Sequence, residues 1–346
     1  MIDQLVRKNI KDMKPYSSAR SLYQSGMFFD ANENALGSTV TLDGIPELNR
    51  YPDPYSKNLR EALGKFLDLS EVNIFAGNGS DEIIDLLIRL FVNPDESVLV
   101  IEPTYGMYKV AAETAGVGVQ SCSLNDEFQI DVPSVLDSVT PKTKIIFCCS
   151  PNNPTGNLLR TEDIEELCKK FKGIVIVDEA YIEFASKESL SKRVADFENL
   201  VILRTFSKIW GLAGIRVGYA IANEKVIQYL DKIKAPYNIN RISSALAIKA
   251  LAEKDTVAEF KDTILKERKR MEKHLTEMGL TVFPSDANFL LVKYPTASKI
   301  AKQLADESKL IIREFGNKKL LENCVRISIA TPEQNDVLLT AIRKLI

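Results

Sequence analysis

The chain has 346 residues, enough to bury roughly three-quarters of the surface its unfolded form exposes and too many for a single core, so two domains are expected. Its net charge is −2 with acidic and basic residues interspersed, which gives no electrostatic reason to expect nucleic acid or an anionic membrane as partner. No apolar run approaches the ~20 residues of a membrane helix, and Met1-Ile2-Asp3-Gln4-Leu5-Val6-Arg7-Lys8 lacks the apolar core of a secretory signal, so a cytoplasmic protein is expected.

Residues 1–30 have little periodic pattern and read as an arm. Residues 31–250 read as a large domain and 251–346 as a smaller one. Between about residues 70 and 222, short apolar runs alternate with amphipathic stretches. The runs are Val98-Leu99-Val100-Ile101, Ile145-Ile146-Phe147-Cys148-Cys149, Ile174-Val175-Ile176-Val177 and Val201-Ile202-Leu203. The alternation predicts an α/β fold with a mostly parallel sheet covered on both faces. Helices are predicted over 81–91 and over 161–171, the second with Thr161 as its N-cap. After Ala235-Pro236-Tyr237-Asn238 the pattern changes to one long charged helix from about 241 to 278. Phe289-Leu290-Leu291-Val292, a helix near 297–307 and short strands around Ile311 and Val325-Arg326-Ile327 follow, which suggests a small α+β domain.

Five cysteines (Cys122, Cys148, Cys149, Cys168, Cys324) are odd in number and lack metal-ligand spacing, so reduced and mostly buried thiols are expected, with no metal site. His274 is the single histidine and reads as a surface residue, which removes Ser-His-Asp and Cys-His chemistry and most zinc hydrolysis. Lysine becomes the leading proton carrier.

Ligands of open parallel sheets bind beyond the carboxyl ends of the strands. After Ile74-Phe75-Ala76 comes Gly77-Asn78-Gly79-Ser80 leading into a helix, a phosphate-site pattern that is weak alone. After Ile101, the segment Glu102-Pro103-Thr104-Tyr105-Gly106-Met107-Tyr108 offers Tyr105 for stacking on a ring, although an ordinary core aromatic explains it equally well. Ser150-Pro151-Asn152-Asn153-Pro154-Thr155-Gly156 is a rigid turn that fixes an asparagine amide or simply a structural turn. Asp178, ending a fully apolar strand before Glu179-Ala180-Tyr181, is costly unless a cation meets it, and a protonated pyridine or a buried arginine would serve. Thr205-Phe206-Ser207-Lys208, then Gly211-Leu212-Ala213-Gly214-Ile215-Arg216, places a lysine among hydroxyls, glycines and a guanidinium. Such a lysine suits a Schiff base with an aldehyde cofactor that also carries a phosphate.

In this order the strand ends resemble the fold-type I pyridoxal-phosphate enzymes, and among them the class I/II aminotransferases, over nearly the whole chain. The resemblance implies that Lys208 bonds the cofactor's aldehyde and Asp178 pairs with its ring nitrogen. It implies that Asn153 and Tyr181 hydrogen-bond the ring's phenolic oxygen, while Tyr105 stacks on the ring. Asn78, Gly79, Ser80, Thr205, Ser207 and Arg216 would surround the phosphate. Further segments look like the histidinol-phosphate aminotransferase family. These are Lys14-Pro15-Tyr16-Ser17-Ser18-Ala19-Arg20, Asp30-Ala31-Asn32-Glu33-Asn34, Arg50-Tyr51-Pro52-Asp53-Pro54 and the pair Ile312-Arg313 and Val325-Arg326-Ile327. That resemblance implies amino-group exchange between L-histidinol phosphate and 2-oxoglutarate in histidine biosynthesis, by a homodimer with shared active sites. Tyr51 would reach the partner's cofactor phosphate, and Tyr16, Asn32, Arg313 and Arg326 would lie on the substrate side.

The sequence departs from that family at Ala35, where proline is usual, and at Ala330, where glycine is usual. Glu314 and Glu322 leave a structural ion pair open for Arg313 and Arg326. An aromatic or broad-specificity aminotransferase, or a phosphothreonine-type decarboxylase, would share the same cofactor residues. A cofactor-binding regulator would need a DNA-binding domain, and a nucleotide-binding fold would need more spaced glycines than residues 77–80 provide.

Overall fold

The computed structural model describes residues 1–12, 43–45 and 47–346. The apolar runs form β1 (Ile74–Gly77), β2 (Ser97–Glu102), β3 (Gly118–Ser123), β4 (Thr143–Cys149), β5 (Ile174–Asp178), β6 (Leu200–Thr205) and β7 (Gly218–Ala222). They make one seven-stranded sheet in the order β1-β7-β6-β5-β4-β2-β3. From β3 to β6 every pairing is parallel, and β7 alone runs antiparallel to both its neighbours. The predicted mostly parallel α/β sheet is what forms.

Period-two alternation explains why these runs are apolar throughout. In β4, Ile146 and Cys148 enter one core while Ile145, Phe147 and Cys149 enter the core on the other face. β5 splits likewise, Val175 and Val177 against Ile174 and Ile176. The helix Gly79–Phe91 covers the second face with Ile83, Leu87 and Leu90, all fully buried. The first twelve residues pack here as well: Ile2 and Val6 join this core, and the Arg7 amide donates to the Leu90 carbonyl at 3.1 Å.

A second, four-stranded antiparallel sheet has β8 (Thr281–Val282), β9 (Phe289–Lys293), β10 (Arg313–Glu314) and β11 (Cys324–Ser328) in the order β10-β11-β9-β8. Leu290 and Val292 pack with the helices Lys254–Glu277, Ala297–Ser308 and Pro332–Leu345, whereas Phe289 and Leu291 join a core of the large sheet. β9 thereby seats the small sheet beside the carboxyl ends of the large one.

Some local expectations are corrected. The predicted helix over 241–278 is two helices, Arg241–Ala250 and Lys254–Glu277, because a turn at 251–253 lets Leu251 bury itself against the large sheet. Thr161 is the first helical residue of Thr161–Lys170 and not its cap; Arg160 holds the cap position without a side-chain bond. Ile311 precedes the strand and is exposed, since only Arg313 and Glu314 pair with β11. His274 is half-buried and bonds Glu277 at 3.2 Å.

Candidate active site

Parallel pairing in register brings the ends of β4, β5 and β6 level, with Cys149 opposite Asp178 and Asp178 opposite Leu203. Beyond those ends lies a cavity lined by Ser80, Tyr105, Asn153, Asp178, Tyr181, Thr205, Ser207, Lys208 and Arg216, together with Asp81, Cys149, Ala180 and Ala213. Nine of the residues singled out in the sequence therefore meet at one place.

One end of the cavity suits an anion. Gly79 and Ser80 open the helix Gly79–Phe91, whose first N–H groups have no intrahelical acceptor. Gly79 has φ +77°, and a Cβ there would stand 2.6 Å from Arg216 Nη2. A Cβ on Gly218 would meet the Ser80 amide nitrogen at 2.5 Å, so both glycines let the backbone close around this cradle. The Thr205 hydroxyl lies 2.9 Å from that of Ser207 and also accepts the Ser207 amide at 3.0 Å, fixing two hydroxyls side by side.

The other end suits a cation. Asp178 is 3% exposed, and burial pushes its carboxyl up to about 6, against opposing hydrogen bonds from Tyr108 and the Ala180 amide. Those bonds are 2.8 Å from Tyr108 Oη and 3.0 Å from Ala180 N. Beside it, burial pushes the Cys149 thiol up to about 12, leaving a neutral wall. A buried carboxylate with these partners, its only hydrogen bonds among the described residues apart from its strand pairing, is ready for a positive group. Lys208 sits between the two ends with Nζ 5.3 Å from the centroid of the Tyr181 ring. Burial lowers its pKa, with Asp178 opposing, and thereby eases release of the amine's proton.

Asn153 Nδ2 reaches the Tyr181 hydroxyl at 3.5 Å, and its Oδ1 accepts from Arg326 Nη1. Arg326 lies in β11 directly opposite Arg313 in β10. Two cationic side chains at directly opposed positions of an antiparallel pair repel each other unless an anion comes between them. Burial and then Arg313 lower the pKa of Arg326, with Tyr181 opposing. Among the described residues neither arginine makes an ion pair, so the pairing left open by Glu314 and Glu322 does not form.

Other singled-out residues do not line the cavity. Asn78 is exposed, and its backbone amide donates to Glu82. Arg313 is exposed at the edge of the small sheet. Tyr51 is 47% exposed and stacks on Tyr237, ring centroids 4.6 Å apart, away from the cavity. Tyr16 and Asn32 lie outside the described residues. Two residues at the site had no assigned part in the sequence reading. Tyr108 is visible in the sequence only as a second aromatic in the Tyr105 segment; its ring packs edge-on to that of Tyr105, centroids 5.5 Å apart, with its hydroxyl on Asp178. Asp81, in the first turn of the helix Gly79–Phe91, accepts from Tyr105 Oη and Arg216 Nη2, each at 3.2 Å.

The cavity thus joins an anion cradle, a lysine amine and a buried carboxylate, a donor set for a phosphate-bearing aromatic cation with an aldehyde. The sequence profile described as "Aminotransferase class I and II" matches residues 31–342. The chain belongs to the class I and II aminotransferase family.

Within that class, histidinol-phosphate aminotransferases are among its relatives. The histidinol-phosphate aminotransferase of Parabacteroides distasonis is 42% identical, over 99% of both chains. That of Cytophaga hutchinsonii is also 42% identical, over 99% of this chain and 98% of its own. The crystal structure of histidinol-phosphate aminotransferase from Sinorhizobium meliloti, in complex with pyridoxal-5'-phosphate, superposes with a TM-score of 0.80 at 29% identity. It covers 86% of this chain and 84% of its own.

Proposed function

We infer that the protein catalyses transamination between L-histidinol phosphate and 2-oxoglutarate, giving imidazole acetol phosphate and glutamate in histidine biosynthesis. Pyridoxal phosphate is its cofactor and, when bound, supplies an aldehyde that takes up the amino group and a ring that accepts electrons from the substrate carbon. The chain's residues fit that group. Gly79, Ser80, Thr205, Ser207 and Arg216 would hold its phosphate, Asp178 would keep its ring nitrogen protonated, Asn153 and Tyr181 would bond its phenolic oxygen, and Tyr105 would cover a ring face. Asn78, exposed beside the cradle, would contribute from the rim.

Lys208 has two duties in this reading. Its Nζ would hold the aldehyde before substrate arrives, and once displaced it would take the proton from the substrate carbon that bears the amino group and deliver it to the cofactor carbon that receives that group, the reverse transfer serving the second half of the exchange. Its lowered pKa favours the neutral amine both tasks need. Asp178 stays ionised, because the cation it faces offsets the burial that pushes it up.

The observation that carries the substrate reading is the Arg313–Arg326 pair, placed opposite each other with no acidic partner among the described residues. A phosphate or a distal carboxylate between two guanidinium forks relieves their repulsion, and both substrates carry such a group. Tyr16 and Asn32 would complete this end. The working unit is a homodimer with shared active sites. An exposed Tyr51 that is absent from its own chain's cavity supports this. Among the described residues no helix is long and apolar enough to cross a membrane, and a cytoplasmic location belongs to the same reading.

Comparing kcat/KM for histidinol phosphate, phenylalanine and tyrosine, each with 2-oxoglutarate, tests this. A wide margin for histidinol phosphate is expected. A better unphosphorylated aromatic substrate would leave the aminotransferase and remove the substrate.

A further inference from the structure

Lys234, at the end of the helix Glu224–Ile233, is a buried lysine that the reaction does not use. A buried ammonium has three N–H donors and no acceptor, and it is tolerated only where oxygens meet it. Here Nζ donates to three main-chain carbonyls: Pro54, Ala235 at 3.1 Å and Pro236 at 3.0 Å. Burial lowers its pKa, with nearby Asp231 opposing, and Asp231 itself pairs with Arg60 at 2.8 Å.

The three carbonyls belong to two segments far apart in sequence, and each segment carries one ring of a stacked pair. Pro54 follows Tyr51, while Ala235 and Pro236 precede Tyr237. The Tyr51 and Tyr237 rings lie 4.6 Å apart at an interplanar angle of 17°. Prolines at 52, 54 and 236 have no N–H, so neither segment can zip to the other through a regular backbone ladder. The lysine substitutes a single cationic clasp for that ladder. Its neighbours complete the hold: Arg241 Nη2 donates to the Tyr51 carbonyl at 3.2 Å, and Asp53 accepts the Tyr55 amide at 3.0 Å.

We propose that Lys234 is a positioning residue that clasps the Tyr51–Tyr237 pair, fixing how Tyr51 is presented to the cofactor phosphate of a second copy of this chain. The proposal rests on the reading of Tyr51 given above.

The test measures the dissociation constant of pyridoxal phosphate from the full-length protein, by titrating cofactor-free protein and following its visible absorbance. Parent, Tyr51→Phe, Lys234→Met and the double variant are compared. Each single substitution is expected to weaken cofactor binding roughly tenfold, about the size of one hydrogen bond to a charged group. The double variant should be no weaker than the worse single one, because both act through one hydroxyl. A Lys234→Met protein that binds cofactor like the parent, while Tyr51→Phe binds it less well, would overturn the proposal. So would additive losses, which mark a separate structural effect. If Tyr51→Phe itself binds normally, the reading of Tyr51 fails first, and the clasp loses its purpose. Should Lys234→Met not fold, Lys234→Gln, which keeps an amide donor, is expected to give a smaller loss that again vanishes in the Tyr51→Phe background; persistence there would overturn the proposal.

Discussion

Replacing Asp178 with asparagine keeps the shape of the side chain and removes one charge from the driest part of the cavity. Facing a ring cation at about 3 Å with an effective dielectric near 20, the carboxylate contributes roughly 5 kcal/mol before desolvation. With its carboxyl pushed up to about 6, chiefly by burial, Asp178 is ionised at neutral pH, and the cost of burying it is met on folding. If roughly half of the 5 kcal/mol is expressed at the transition state, its loss corresponds to about a hundredfold in rate. Asp178→Asn should therefore bind cofactor, fold normally and turn over about a hundredfold more slowly in single-turnover kinetics. The same substitution has a signature in cofactor-free protein. Since Asp178 titrates higher folded than unfolded, the folded chain retains a proton that the unfolded chain has released between about pH 4 and 6. Stability therefore falls as pH rises through that window, and Asp178→Asn should remove part of the fall in thermal melts. Glu179, pushed up to about 6 chiefly by burial, keeps its own share. Turnover within a few-fold of the parent, at full cofactor content, would refute the reasoning and make the carboxylate structural.

Lys208→Ala should fold and retain cofactor through the phosphate cradle, yet show neither the parent's visible absorbance nor measurable turnover; a substantial residual rate would exclude Lys208 as the proton carrier. Tyr108→Phe deletes the 2.8 Å bond to Asp178, and loss of a hydrogen bond to a buried charge should slow turnover by roughly tenfold or more, with an unchanged rate counting against this support. Arg313→Ala should raise KM for histidinol phosphate more than for glutamate, whereas Arg326→Lys, which keeps charge but loses the fork, should impair both half-reactions; steady-state kinetics with each substrate checks this.

Much of this arrangement was legible because strand ends carry both a local signal and a topological rule. Apolar runs locate β2, β4, β5 and β6, and the residues following each are the ones that line the cavity. β7 was harder to read, because Gly218-Tyr219-Ala220-Ile221-Ala222 is short and its antiparallel direction depends on what it pairs with. β3 was missed since Gly118-Val119-Gln120-Ser121-Cys122-Ser123 is a polar edge strand held by β2 alone. The helix break at 251–253 follows from the burial of Leu251, a tertiary demand that overrides a continuous helical pattern. Tyr108 and Asp81 escaped notice for a related reason. Their value lies in which way a helix turns them, and one-dimensional spacing does not say which tyrosine of a pair finds the carboxylate.

The central claim is that this site moves the amino group of histidinol phosphate. Purified protein with bound cofactor, mixed with histidinol phosphate alone, should lose its visible absorbance in proportion to the sites present. Adding 2-oxoglutarate should restore it, with one glutamate formed per site. No absorbance change with histidinol phosphate, under conditions where phenylalanine or another unphosphorylated amino acid bleaches the protein, would contradict the account.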